Sequence, residues 1–256
     1  YEINEGDWSS DVCSSDLMKT GALTRSAYGR GGTGRNRYGR RRAGASVEGM
    51  TEPQPLPDRA PSPAPSEPAP GFTTAVTVED FRRNLAAVRA RLASAAERAG
   101  RDAAEIRLLP VSKTVPEERL RTAHAAGITQ MGENKVQEAK RKAAALADLG
   151  IHWAVIGHLQ TNKAKDVAAF ADEFQALDSL RVAEALDRRL QAAGRALDVY
   201  VQVNSSGEAS KFGLEPADVP AFLQALPAYS SLRVRGLMTL AAHTEDRARI
   251  RECFRT

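Results

Sequence analysis

The hydrophobic and polar positions of this chain follow a helical period first and then alternate between two patterns. Residues 77–100 carry apolar side chains at the spacing of one helix face, with Thr77 placed to cap the helix and Gly100 placed to end it. The side chains on that face are Phe81, Leu85, Val88 and Leu92. We therefore predict a leading helix over this stretch.

Beyond the leading helix, short apolar runs typical of buried strands alternate with amphipathic helical segments. We predict six strands, at residues 106–112, 128–132, 151–157, 173–179, 197–204 and 232–240, each followed by a helix. Such repeats favour a parallel sheet with helical crossovers, either a closed barrel or a doubly wound layer. A complete eightfold barrel has about two more units, so we expect the barrel to be incomplete in this sequence.

Residues 1–76 differ in composition from the rest of the chain. Residues 1–17 resemble translated sequencing-library adapter, and a glycine- and arginine-rich stretch follows. Residues 53–70 hold most of the 13 prolines. Segments of this kind cannot bury enough apolar surface to offset the entropy cost of ordering. We expect residues 1–76 to be a disordered or artefactual leader with a proline-rich tail, and residues 77–256 to form the domain.

Charge and composition narrow the class of protein. The net charge is +4, and the arginine run at residues 30–42 is only weak support for nucleic-acid binding. No stretch approaches the roughly 20 apolar residues that span a bilayer, and no signal peptide is recognisable, so we expect a cytoplasmic protein. Cys13 and Cys253 have neither metal-ligand spacing nor a disulfide pattern around them, and we expect free thiols.

Polar side chains are concentrated where the predicted strands end, which is where parallel α/β folds place their chemistry. Amide, hydroxyl and amine groups there could hold a polar, anionic ligand. The side chains at these ends are Ser112, Lys113, Glu133, Asn134, Gln137, Glu138, His158, Gln160, Asn162, Lys163, Asp178, Ser179, Asn204, Ser205, Ser206, Glu208, Lys211, Met238 and Thr239.

Several of these side chains have a purely structural alternative. Asn134, Asn162 and Ser179 precede helices and could cap them. His158 has no second ligand at metal-binding spacing, so we expect no metal site. Lys211 follows Glu208 closely and could simply form an ion pair with it.

Lys113 stands out by its position in the segment LLPVSKTVP, directly after an apolar run and shortly before a proline. Loss of hydration at a packed strand end favours the neutral amine, which is the form that attacks a carbonyl group. A lysine placed in this way is a candidate for Schiff-base formation. The alternative is a lysine that extends its ammonium group to water at the mouth of the fold.

Five motifs in this order and spacing carry a resemblance to a known family. They are LLPVSKTVP, GENKVQEAK, WAVIGHLQTNK, VNSSGEASKFG and RGLMTL. Together they resemble the YggS/PROSC family, the pyridoxal phosphate homeostasis proteins, over residues 81–256. The resemblance implies a TIM (β/α)8-type barrel like the N-terminal domain of alanine racemase, of which about six of eight units are present. It also implies pyridoxal 5'-phosphate bound as an internal aldimine to Lys113.

The resemblance carries further expectations about the site and the function. We expect Asn134 and Met238 to contact the cofactor, Lys211 to make a weaker, peripheral contact, and no residue to be catalytic. The family is thought to bind, buffer and deliver the cofactor. The expected partners are pyridoxal 5'-phosphate and the apoenzymes that use it, with no nucleic acid and no membrane, and the chain is expected to be monomeric. The family's phosphate-holding segments belong to the seventh and eighth strands, which this sequence is expected to lack.

Two other functions remain open on the same barrel. A pyridoxal phosphate-dependent racemase or decarboxylase would need a second acid or base opposite the lysine. A Schiff-base aldolase would use Lys113 directly on a carbonyl substrate and would need no cofactor.

Overall fold

A computed structural model describes residues 74–256 of the chain. The expectations for the adapter-like residues, the arginine run, the proline-rich segment and Cys13 lie outside the described residues. Within them, Cys253 is a buried free thiol, as predicted. No helix of the described part is long and apolar enough to cross a bilayer.

The leading helix forms as predicted. Helix α1 covers Val78–Arg98 and begins with a capping box, in which Thr77 Oγ1 accepts a hydrogen bond from the Asp80 amide at 3.2 Å and Asp80 accepts one from the Thr77 amide at 2.9 Å. Gly100 follows the helix at φ 64°, a left-handed conformation that glycine adopts without strain. The helix buries Phe81 against the apolar side of the next helix, which fixes it to the domain.

Five parallel strands form one sheet, and their spatial order β1-β2-β3-β4-β5 is the order along the chain. The strands are β1 (Gln130–Glu133), β2 (His152–Val155), β3 (Glu173–Leu177), β4 (Leu197–Val203) and β5 (Leu232–Thr239). The connecting helices are α2 (Glu117–Ala125), α3 (Val136–Ala145), α4 (Ala164–Phe170), α5 (Leu180–Ala192) and α6 (Val219–Ala225), and α7 (Arg247–Cys253) follows β5. A doubly wound sheet reverses its strand order at a switch point, whereas this sequential order is that of a (β/α) barrel wall.

The first predicted strand, residues 106–112, differs from the prediction. It joins the sheet only through a parallel bridge between Val111 and Gly132. The Gly132 amide donates to Pro110 O at 2.7 Å, and the Ser112 amide donates to Gly132 O at 2.8 Å. Because Pro110 has no amide hydrogen, it cannot extend the ladder, and the pairing stays confined to these residues.

The two faces of the sheet differ in character. The outer face packs on the helices, and along β4 it presents the buried side chains Leu197, Val199 and Val201 to the main core. The inner face lies on the other side, and its amino-terminal end is polar. There Arg107 donates hydrogen bonds of 2.7 Å to both oxygens of Glu173, whose side chain is 3% exposed. This bidentate pair raises the pKa of Arg107 above its ordinary value, since the bonds to Glu173 outweigh the effect of burial.

Candidate functional site

Lys113 lies at the carboxyl-terminal edge of the sheet, immediately after the Val111 bridge. The preceding side chain, Ser112, is 1% exposed and contacts groups on the outer face. Lys113 itself is half-buried. The structure therefore places this lysine directly after the strand segment, where the sequence predicts it.

The turn that carries Lys113 has a strained backbone. The Val115 amide donates to Ser112 O at 3.1 Å, which closes a tight turn with Lys113 and Thr114 at its centre. Thr114 has φ 63°, and among the described residues no other non-glycine residue has a positive φ. A β-branched residue rarely adopts a positive φ, and a turn position that requires one is usually occupied by glycine. Strain of this kind persists only where the surrounding structure fixes it.

A buried ion cluster lies directly behind this turn, on the outer face. We call it the Lys142 cluster, and it consists of Ser112, Glu133, Glu138 and Lys142. Lys142 Nζ donates hydrogen bonds to Ser112 O at 2.6 Å, to Glu133 Oε1 at 2.7 Å and to Glu138 Oε1 at 2.8 Å. Ser112 Oγ donates to Glu133 Oε1 at 2.6 Å. The side chains of Lys142 and Glu133 are fully buried, so this part of the polar network lies inside the core.

The cluster also reaches the backbone of the strained turn. Glu138 Oε1 accepts a hydrogen bond from the Thr114 amide at 2.9 Å. Burial raises the pKa of Glu138, but the hydrogen bonds from Lys142 and from the Thr114 amide lower it by more, so its pKa lies below the ordinary value of 4.5. Glu138 is therefore held as a carboxylate against the turn at neutral pH.

Asn134 follows β1 at the same edge and is exposed. It packs against Gly157, where an added Cβ would come within 2.1 Å of Asn134 O and 2.2 Å of its Oδ1, so only glycine leaves room for this approach. The helix-cap alternative is wrong for Asn134, because α3 has no side-chain cap. It is wrong also for Asn162, which lies inside a 3₁₀ turn. Ser179 does cap α5, accepting a hydrogen bond from the Val182 amide at 3.4 Å.

The other two predicted cofactor contacts have structural surroundings of their own. Met238 is half-buried on β5, pairs in register with Gln202 and packs against the main core. Lys211 donates a 2.7 Å hydrogen bond to Ala241 O and forms an ion pair with Glu208, which is the pairing considered as the alternative. The contacts of Asn134, Met238 and Lys211 with a cofactor stay predictions.

Sequence reasoning did not anticipate the surroundings of His158. Its Nδ1 lies 3.2 Å from Asp178 Oδ2, and its ring stacks on Phe212 with centroids 3.9 Å apart and planes 10° from parallel. These contacts join the edge at β2 to the edge at β3 and to the loop after β4. Within residues 74–256, no group of three or more histidine, cysteine or acidic side chains is arranged to hold a metal ion.

The chemistry available at this edge fits a ligand that carries an aldehyde. Lys113 offers a primary amine on a turn whose backbone is held by the Lys142 cluster. Gly132 pairs with Val111, two residues before Lys113, and a Cβ there would meet Leu109 and Ile156 at ordinary contact distances of 3.5 Å, so apolar side chains border this part of the sheet. An amine beside apolar surface suits condensation with an aldehyde on an aromatic ring.

A comparison with known sequence families shows the family to which this chain belongs. The family described as "Alanine racemase, N-terminal domain" matches residues 83–255, well over half of the chain. The chain belongs to this family, and its sequential parallel sheet is the architecture that the sequence predicts for such a domain.

Curated relatives narrow the class further. The chain is 46% identical over 165 residues to the pyridoxal phosphate homeostasis protein of Pseudomonas aeruginosa, covering 64% of this chain and 72% of the relative. It is 39% identical over 175 residues to the protein of the same name from Escherichia coli K12, covering 67% and 75%. The chain is therefore a member of the pyridoxal phosphate homeostasis protein family, YggS/PROSC, and this part of the sequence-based prediction is confirmed.

Two solved structures have a fold similar to that of this chain. An unknown protein from Bifidobacterium adolescentis is 34% identical and superposes with a TM-score of 0.64 over 69% of this chain and 75% of its own. PipY of Synechococcus elongatus, in a structure described as having PLP bound, is 30% identical with a TM-score of 0.54 over 68% and 82%. This chain is similar to both proteins in fold and in sequence.

Proposed function

We propose that this chain binds pyridoxal 5'-phosphate through Lys113 and takes part in intracellular pyridoxal phosphate homeostasis, with little or no catalysis of its own. The observation that carries the proposal is the position of Lys113: a half-buried lysine in a turn at the carboxyl edge of a parallel sheet. The names of the relatives and the bound cofactor of PipY support the choice of ligand. The cofactor supplies an aldehyde, with which a lysine amine condenses as water leaves.

The residues of this chain have distinct proposed roles. Lys113 holds the aldehyde end, Asn134 contacts the cofactor from the end of β1, and Met238 contacts it from β5. Lys211 makes at most a peripheral contact, because its ammonium group already bonds Ala241 O and Glu208. Residues 77–256 form the cofactor-binding domain. The proposed recipients of the cofactor are apoenzymes in the cytoplasm, and the proposed binding form is a monomer without nucleic acid or membrane.

The absence of robust catalysis is part of the proposal, and the state of the acidic groups supports it. A racemase or decarboxylase needs a free acid or base opposite the lysine. Of the acids near this edge, Glu133 and Glu138 are bonded to Lys142 on the outer face. Glu208 is paired with Lys211. The pairing of these three carboxylates with lysine favours a binding protein over an enzyme on the same barrel.

The test is attachment of the cofactor and its location. The chain is mixed with pyridoxal 5'-phosphate, absorbance is followed, and the bond is reduced with borohydride before peptide mass spectrometry. We expect a yellow protein with a pyridoxyl label on Lys113, and neither colour nor label in Lys113→Ala. Lys135→Ala, which removes an exposed lysine near the same edge, is the control and should retain both.

Two outcomes would contradict the proposal. A label that stays when Lys113 is replaced would mean that another lysine holds the cofactor. A colourless chain that borohydride links to a carbonyl substrate at Lys113, without pyridoxal 5'-phosphate, would favour the aldolase alternative.

A further inference from the structure

We propose that the Lys142 cluster positions Lys113 for cofactor binding, and that Glu138 and Lys142 influence this binding without touching the cofactor. The inference rests on the proposed function, because it assigns positioning residues to that same site.

The strongest observation is that the cluster holds both peptide groups that flank Lys113. The carbonyl before it, Ser112 O, accepts a 2.6 Å hydrogen bond from Lys142 Nζ. The amide after it, that of Thr114, donates a 2.9 Å hydrogen bond to Glu138 Oε1. Two bonds on either side of one residue fix the direction of its Cα–Cβ bond. The cluster therefore sets the direction from which the amine of Lys113 approaches a ligand.

A second observation is the backbone strain between these bonds. Thr114 at φ 63° occupies a conformation that costs free energy for a β-branched residue. The Glu138 carboxylate holds the Thr114 amide in the orientation that this conformation requires. Without that bond the turn would relax toward an ordinary φ, and Lys113, the neighbouring residue in the turn, would change direction with it.

The burial of the cluster separates its role from that of Lys113. Lys142 and Glu133 are 0% exposed, whereas Lys113 is half-buried in the turn. A ligand bound at Lys113 therefore does not reach the Lys142 ammonium group. Glu138 Oε1 is bonded to Lys142 and to the Thr114 amide, so we infer that Glu138 acts on the ligand through the turn, as a positioning residue.

A cluster that served only to neutralise charge would not need its backbone bonds. One carboxylate is enough to pair with the Lys142 ammonium group, and Glu133 already does so in the core. Glu138 Oε1 is instead shared between Lys142 Nζ at 2.8 Å and the Thr114 amide at 2.9 Å. The third ammonium hydrogen goes to a backbone carbonyl of the same turn. Glu138 and Lys142 therefore pair their charges and also hold the backbone of the turn at residues 112–115.

The test begins with Glu138→Ala, compared with Glu118→Ala, an exposed glutamate of α2, as the matched control. Three quantities are measured: amide hydrogen exchange at Thr114 without cofactor, the dissociation constant for pyridoxal 5'-phosphate, and the thermal unfolding midpoint. In Glu138→Ala we expect Thr114 exchange to be faster and the dissociation constant to be higher, each by about tenfold or more, because a misdirected reacting group loses binding and rate. The control should match the wild type in all three.

A rescue experiment separates positioning from a general loss of structure. Glycine adopts a positive φ without strain, so Thr114→Gly added to Glu138→Ala should let the turn keep its geometry without the carboxylate. We expect the double variant to recover cofactor affinity to within about threefold of the wild type, as the coupling of neighbouring sites allows. A double variant that binds as weakly as Glu138→Ala would contradict the proposal.

Glu138→Gln keeps the test decisive if the alanine variant does not fold. Its amide oxygen can still accept one hydrogen bond, and the Glu138 side chain is 21% exposed, so the variant should fold. We expect faster Thr114 exchange and cofactor affinity weakened by about threefold, because a neutral acceptor forms a weaker bond than a carboxylate. Wild-type values for both quantities would overturn the proposal.

Failure of this inference is distinguishable from failure of the proposed function. If the wild-type chain takes no pyridoxyl label at Lys113, the proposed function is wrong. If the label forms at Lys113 but Glu138→Ala leaves Thr114 exchange and cofactor affinity unchanged, only the positioning role is wrong.

Discussion

Two lysines lie beside the turn at residues 112–115, and they differ in burial. Lys142 is fully buried, and its ammonium group bonds two carboxylates and a carbonyl. Lys113, within the turn, is half-buried at the edge of the sheet. The comparison teaches that the environment, and not the residue type, decides whether a lysine serves structure or chemistry.

The hydrogen bonds of Lys142 explain why it is a structural group. An ammonium group has three hydrogens to donate, and all three of them have acceptors in the core. Moving a charge out of water costs several kcal/mol, and only pairing with good geometry offsets that cost. Lys142 is therefore a charge that the fold needs, with no hydrogen left to offer a ligand.

The largest effect that we expect comes from removing this charge. Lys142→Met should lower the free energy of unfolding by about 3–5 kcal/mol, because Glu133 and Glu138 would be left beside each other without their cation. Urea denaturation of the cofactor-free chain measures the change. A loss below about 1 kcal/mol would mean that the cluster relaxes or takes up protons at little cost.

Lys140→Met is the matched control on the same helix. Lys140 forms a 2.7 Å ion pair with Asp166, but its side chain is 57% exposed. Exposed ion pairs of this kind contribute about 0–1 kcal/mol, so this variant should stay close to the wild type. Equal losses in the two variants would remove the distinction between buried and exposed lysines on α3.

A smaller effect should follow from protonating the cluster. The folded pKa of Glu138 lies below its ordinary value of 4.5, so the stability it contributes is present above pH 4.5 and is lost as the pH falls through the folded value. A single group changes the slope of stability against pH by at most about 1.4 kcal/mol per pH unit. We expect unfolding free energies measured between pH 6 and pH 3 to fall less steeply in Glu138→Gln than in the wild type. Parallel curves would contradict this assignment.

Most of the fold could be predicted from the sequence because the elements are long and their periods are clear. The predicted helices and five of the predicted strands are present within a few residues. Residues 106–112 are the exception and form only an isolated bridge. Pro110 interrupts the pairing there, although the apolar pattern continues through it. An apolar run indicates burial, but it does not show whether each residue has the amide hydrogen that strand pairing requires.

The sequence indicates only part of the candidate site, for a physical reason that concerns the same two lysines. It predicts Lys113 because the chain order places this lysine after a buried run. It does not single out Lys142, because this lysine follows Lys140 and Arg141 in a cationic run of the kind that is usually solvated. Its position three residues after the buried Ala139 places it on the buried stripe of α3 and was the available signal. Glu138 lies four residues before Lys142 on the same helix, a spacing visible in the sequence, whereas Ser112 and Glu133 come from other elements and no local pattern brings them to Lys142.

The smallest effect on stability should come from Lys113 itself, and it sharpens the comparison most. Without cofactor, Lys113→Met should change the free energy of unfolding by at most about 1 kcal/mol, since methionine keeps most of the half-buried apolar stem. With pyridoxal 5'-phosphate at 100 times the dissociation constant, the wild type should gain about 2.7 kcal/mol, because the ligand binds only the folded chain. The variant should gain much less at the same concentration. Urea denaturation with and without cofactor measures both quantities. A variant that loses about 3 kcal/mol or more without cofactor would make Lys113 a structural lysine like Lys142, and the division of roles between the two lysines would be wrong.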